Sequence, residues 1–218
     1  MFAFIFTTAA AAGDISTDRP SAGTSALTVG NGVFQFETGV QADMAGGTAF
    51  SLPTLFRYGV GENLEVRADS GMLSIADGST AFGGLGAGGK YTVSTTDAVA
   101  LGIVAGSSIP LDGGDASPYA LLLADFAAGL WANAGWTGGS TLYYAAGYGF
   151  GLPADGFSAF VETAGSLALE ASAWNGTVQA GTVWASGNCE ADLYVQTSLD
   201  GASGSMAAAG VSYRFGAD

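Results

Sequence analysis

The sequence predicts an all-β protein, an antiparallel transmembrane β-barrel of about twelve strands joined by short turns. Three observations predict it. Apolar and polar residues alternate with period two in one segment after another. The chain is 49% hydrophobic and holds 36 Gly, yet beyond its first residues no run of 18 apolar residues offers a membrane-spanning helix. Four of its five cations, Arg57, Arg67, Lys90 and Arg214, fall inside alternating segments, each on the face opposite the aromatics.

The elements follow in order. Residues 1–12 combine the apolar run Met1–Phe6 with the small residues Ala10-Ala11-Ala12, and no Lys or Arg precedes them. They read as a truncated secretory signal. Residues 13–32, rich in Gly, Ser and Thr, read as an extended segment without a strand, and residues 33–215 as the barrel domain. In the first strand Phe34, Phe36, Thr38, Val40 and Ala42 share one face, and Gln35, Glu37, Gly39, Gln41 and Asp43 the other. Phe50, Leu52, Thr54, Phe56 and Tyr58 then oppose Ser51, Leu55 and Arg57, and Leu64, Val66, Ala68 and Met72 oppose Glu65, Arg67 and Asp69. Leu85, Ala87, Tyr91 and Val93 oppose Gly86, Gly88, Lys90 and Thr92. The contrast is weakest over Tyr119–Trp136, where spacing alone places a turn near Asp125. Pattern returns with Phe157, Ala159 and Val161 against Ser158, Phe160 and Glu162, and with Ala191, Leu193 and Val195 against Glu190, Asp192 and Tyr194. The closing strand sets Val211, Tyr213 and Phe215 against Ser212 and Arg214, an ending that resembles the last strand of bacterial outer-membrane barrels.

Charge narrows the function. Arginine facing lipid at mid-depth costs about 2–4 kcal/mol, so the strand cations are expected to point inward with Glu37, Glu65, Asp69, Glu162, Glu190 and Asp192. Glu37, Arg57, Glu65, Arg67, Lys90, Glu162 and Arg214 are the candidate lumen-lining residues. Two roles stay open for them: mutual satisfaction of buried charge, or a lining that binds and selects solutes. Tyr58, Tyr91, Tyr148, Trp184, Tyr213 and Phe215 read either as interfacial girdles or as ordinary strand packing.

A net charge of −14 leaves nothing to grip a nucleic-acid backbone. The absence of histidine removes His-based catalytic triads and His metal sites, and the lone Cys189 excludes a multi-Cys one. Gly83–Lys90 lacks the helix and the following Ser or Thr of a phosphate loop. No catalysis and no cofactor are expected; the expected partners are outer-membrane lipid and small-molecule solutes.

Several stretches together resemble a family of outer-membrane barrels named after the meta-pathway of phenol degradation. They are Thr17-Asp18-Arg19-Pro20, Phe34–Gly39, Leu55–Gly59 running into Leu64–Arg67, Phe160–Glu162 and Gly210–Phe215. The similarity extends from about Ile15 to Phe215. It implies a barrel in the outer membrane of a Gram-negative bacterium that passively admits or binds small, organic or aromatic molecules. It also implies that Asp18–Pro20 either folds into the lumen as a plug or leads periplasmically into the first strand. Two alternatives differ in class: a closed structural barrel without transport, and a soluble, secreted β-sandwich or adhesin-like protein with its aromatics inside.

Overall fold

The computed structural model describes residues 15–19, 21–44, 49–76, 79–111, 113–200 and 204–216, apart from the side chains of residues 71 and 72. The signal reading of residues 1–12 and the Pro20 of the Asp18–Pro20 motif lie outside them.

The strands are β1 (Phe34–Asp43), β2 (Ala49–Gly59), β3 (Leu64–Ala76), β4 (Ser79–Thr95), β5 (Val99–Ile109) and β6 (Ser117–Phe126). They continue as β7 (Leu130–Thr137), β8 (Thr141–Gly151), β9 (Phe157–Ala168), β10 (Ala173–Ser186), β11 (Cys189–Ser198) and β12 (Ser205–Phe215). Each pairs antiparallel with its sequence neighbours, and β1 pairs with β12 from Phe34↔Phe215 to Asp43↔Met206, closing the barrel. Closure leaves no unpaired strand edge, the condition for placing a sheet in lipid.

Outside and inside are inverted relative to a soluble protein. Phe34, Phe56, Tyr91, Leu122, Leu193 and Val195 are exposed, whereas the largest fully buried side chains are Arg57, Lys90, Gln35, Glu37, Glu65 and Val104. A β-sandwich would bury the aromatics, so this inversion removes that alternative. The register gathers Tyr58, Tyr91, Tyr148, Trp184, Tyr213 and Phe215 at the rim where β1 begins and β12 ends, here the near rim. Phe34 joins them there, 5.8 Å from Phe215 and 6.2 Å from Phe56 between ring centroids. Such a belt suits a membrane interface.

One local expectation changes. The turn placed near Asp125 falls later: β6 runs on to Phe126, and the chain reverses at 127–129, where Gly129 takes a positive φ of 82°. Asp125 therefore points inward from a strand. Asp43, read on the polar face of the first strand, is the last residue of β1. A register shift between Leu52 and Thr54 then pairs Leu52 with Leu73 and Phe50 with Ile75, so the outer face of β3 passes from even to odd positions. A bulge does this by setting an extra residue on one strand.

Candidate functional site

The interior is built around the described residues of 15–29, which form no strand and meet the inward side chains of the wall. A buried, irregular backbone must find partners for its N–H and C=O groups, and here the inward side chains of the wall supply them. Along Ile15–Val29 the described residues make no backbone-to-backbone hydrogen bond with the wall; every anchor uses a side chain.

The anchors follow the segment round the barrel. The Ser16 carbonyl accepts from Arg57 Nη1 at 2.7 Å and from Gln35 Nε2 at 2.8 Å. Thr17 donates its hydroxyl to Glu190. The backbone N–H groups of Asp18 and Arg19 donate to Glu37 Oε2 at 3.0 and 3.1 Å, and Arg19 pairs with Asp192 at 3.4 Å. Farther from the near rim, Glu162 accepts from Ser21 Oγ, Ala22 N, Gly23 N, Trp131 Nε1 and Gln179 Nε2. Among the described residues no salt bridge reaches Glu162. Its carboxylate oxygens are satisfied by oriented N–H and O–H donors. Tyr143 donates to the Ala22 carbonyl at 2.6 Å, and Asn133 bonds both polar groups of the Thr24 backbone.

The segment then returns. Asp125 accepts from Ser25 Oγ and Ala26 N at 2.9 and 2.8 Å, and Thr92 donates to the Ala26 carbonyl at 2.9 Å. The Leu27 carbonyl accepts from Arg57 and Lys90, each at 3.2 Å, and Val29 N donates to Glu65 Oε2 at 3.0 Å. Gly30 and Gly32, with positive φ of 89° and 73°, turn it into β1. A Cβ would overlap the Gly30 carbonyl oxygen at Gly59 and stand 2.7 Å from that of Ala26 at Gly102, so the wall is glycine at both approaches of the segment.

Asp18 lies at the centre of the charge. Its carboxylate meets Lys90 Nζ at 2.9 and 3.1 Å and Arg67 Nη1 at 2.7 Å, with Arg57 Nη1 at 3.8 Å. Burial pushes its carboxyl upward, but Arg57, Lys90 and Arg67 together outweigh burial and hold it well below the usual carboxylate range. Arg57 is gripped in turn by Glu37 at 3.0 Å and Glu65 at 2.9 Å, all three side chains fully buried.

The predicted lining residues thus separate into groups. Arg57, Glu37, Glu65, Arg67 and Lys90 form one cluster around Asp18. Glu162 stands apart from it and holds the arc of Ser21–Gly23, while Arg214 is buried on β12 level with Gln35. Sequence reasoning missed Asp125 and Asn133, which lie in the segment of weakest alternation, and left the placement of Asp18 open. The only available signal was a polar residue on the inward parity of a strand.

Two cavities flank the segment. One, of about 340 Å³, lies between it and β6–β11, with Trp131, Phe160, Val183 and Glu190 in its lining. The other, of about 380 Å³, is bounded by Arg19, Glu37, Leu55, Arg67 and Asp69.

A closed twelve-stranded barrel, apolar outside and ionic within, is the fold of outer-membrane channel barrels. No protein-family model and no curated protein matches the sequence. Among solved structures it is similar to the COG4313 outer membrane channel from Pseudomonas putida F1, with a TM-score of 0.61 and 11% identity over 89% of this chain and 100% of that one. It is also similar to the KdgM porin, with a TM-score of 0.57 and 13% identity over 83% of this chain and 99% of that one. A further structure of KdgM is a complex with disordered oligogalacturonate. At these identities the likeness establishes the fold alone.

Proposed function

We propose that this chain is a bacterial outer-membrane barrel that passively admits small solutes, with residues 15–29 as a displaceable filling of its lumen. One observation carries the reading: along Ile15–Val29 the described residues are fixed by side chains and contribute nothing to the ladder of the sheet. The backbone joins the wall at Gly32, whose N–H donates to the Gly59 carbonyl at 2.8 Å. Residues 15–29 can therefore shift or leave while every strand pair stays intact. The flanking cavities of about 340 and 380 Å³ give it room to do so. The similarity in fold to channels and porins supports passage, and the family resemblance supports small organic solutes. Glu37, Arg57, Glu65, Arg67, Lys90, Glu162 and Arg214 act as the lining that sets width and field. No chemical step is assigned to them.

The test is single-channel recording in planar bilayers, comparing the full chain with a variant lacking residues 16–29. Folding of both is verified by heat-modifiable gel migration. Low or rare conductance in the full chain and large, steady steps in the deletion are expected. A folded deletion variant that stays silent would overturn the channel reading and leave a structural barrel.

A further inference from the structure

Without Asp18, two cations of the wall lack a close anionic partner among the described residues. Arg57, Arg67 and Lys90 come from three adjacent strands, β2, β3 and β4, and face two wall carboxylates, Glu37 and Glu65. Both carboxylates are committed to Arg57, at 3.0 and 2.9 Å, and Glu65 is a more distant 3.8 Å from Lys90. Asp69, two residues along β3 from Arg67, makes no salt bridge to it among the described residues. Arg67 and Lys90 therefore take their close anionic contacts from Asp18, a residue of the segment and not of the barrel.

The fit of Asp18 is also imperfect. Arg67 Nη1 is 2.7 Å from Asp18 Oδ2, yet the approach is off the hydrogen-bond axis, and this buried nitrogen has no hydrogen-bond partner. A guanidinium prefers a carboxylate in its own plane, bonded through two parallel N–H groups. Asp18 cannot turn to meet it, because its own N–H is fixed to Glu37 and its Oδ1 accepts from Ser25 N at 3.0 Å. A free carboxylate has no such tether. The cavity of about 380 Å³ that includes Arg67, Arg19 and Glu37 in its lining gives such a molecule a place beside the cage.

We propose that Arg57, Arg67 and Lys90 form a carboxylate site of the lumen, which Asp18 fills as an internal ligand and for which a small carboxylate solute competes. This rests on the channel reading and names a solute class for it. Arrival of the carboxylate releases Asp18, and with it the part of the segment held at Leu27, whose carbonyl shares Lys90.

The test is chemical rescue, read without any current. The full chain and its Asp18→Ala variant are refolded in detergent, and the folded fraction is followed by heat-modifiable gel migration. Sodium acetate is titrated against sodium chloride at equal ionic strength. At an acetate concentration near its dissociation constant, mass action doubles the folding constant of a form that binds only when folded. A gain in the folding constant of roughly twofold at that concentration, rising in proportion to acetate above it, is expected for Asp18→Ala, with little for the wild type, whose site is occupied. The gain should vanish in Asp18→Ala carrying Arg67→Gln. If Asp18→Ala folds in neither salt, the folded wild type is probed instead: acetate, and not chloride, should open Ala22–Leu27 to proteolysis, and no opening overturns the competition. Equal response to acetate and chloride, or an acetate gain that survives Arg67→Gln, overturns the site. Phosphate rescue exceeding acetate overturns the carboxylate assignment. A silent channel with intact rescue would instead refute passage and keep the site.

Discussion

Arg57 on β2 holds Glu65 on β3 through two parallel bonds, Nε to Oε1 and Nη2 to Oε2, each 2.9 Å long with both side chains fully buried. The pair locks neighbouring strands together from the inside and also carries the segment, since Arg57 donates to the carbonyls of Ser16 and Leu27. Arg57→Met leaves Glu65 and Glu37 buried without their main cation. Loss of one partner of a buried pair costs about 3–5 kcal/mol. Denaturant-induced unfolding of the refolded barrel should show a loss of this order, and a change within error would contradict it.

Glu162 is the main anchor of the arc at Ser21–Gly23. Glu162→Ala removes the acceptor for three groups of that arc and leaves the strand pairs of β9 in place. The variant should fold as the wild type does and conduct more, with the arc open to proteolysis. Unchanged conductance and protection would show that the segment does not depend on this carboxylate.

Acid should act on Asp18 late. Its folded carboxyl lies below its unfolded value, so the stabilisation it brings is fully present above the unfolded pKa of about 3.9 and fades as pH falls through the lower folded value. The stability gap between wild type and Asp18→Asn should therefore be flat from neutral pH down to about pH 5 and shrink only in stronger acid. A gap that closes between pH 7 and 5 would mean that Asp18 is not held ionised by the cage.

Steric displacement offers a test free of charge effects. Gly102→Val drives a side chain into the Ala26 backbone, where even a Cβ stands 2.7 Å from the carbonyl oxygen. The segment must move, breaking the bonds of Ala26 to Asp125 and Thr92. Increased conductance with an unchanged barrel band on the gel is expected, and a wild-type current would place the segment elsewhere.

The outer face has its own prediction. Leu193 is midway along β11 and 60% exposed, facing away from Asp192 and Tyr194. Leu193→Arg should destabilise the barrel in lipid vesicles by about 2–4 kcal/mol, the cost of arginine at mid-membrane. Indifference to the substitution would place this face outside the hydrocarbon.

The parity of the strands was legible because a strand alternates its faces with every residue. From that rule alone Arg57, Lys90, Glu162 and Arg214 point inward and Phe34, Tyr213 and Phe215 outward, as the structure has them. The rule weakens over Tyr119–Trp136, where inward Leu121 and Leu123 blur the contrast between faces and the turn was read too early, at Asp125. The shift between Leu52 and Thr54 was invisible for the same reason: one inserted residue reverses parity without changing composition.

Sequence by itself determined a barrel of about twelve alternating strands, the apolar exterior and the inward charges, because each follows from neighbours one or two residues apart. Only the tertiary structure decided what those charges hold. Asp18 reaches Lys90 across 72 residues and Ser21 reaches Glu162 across 141. A segment without periodicity carries no trace of its partners, since the wall that satisfies its backbone exists only once the barrel has closed.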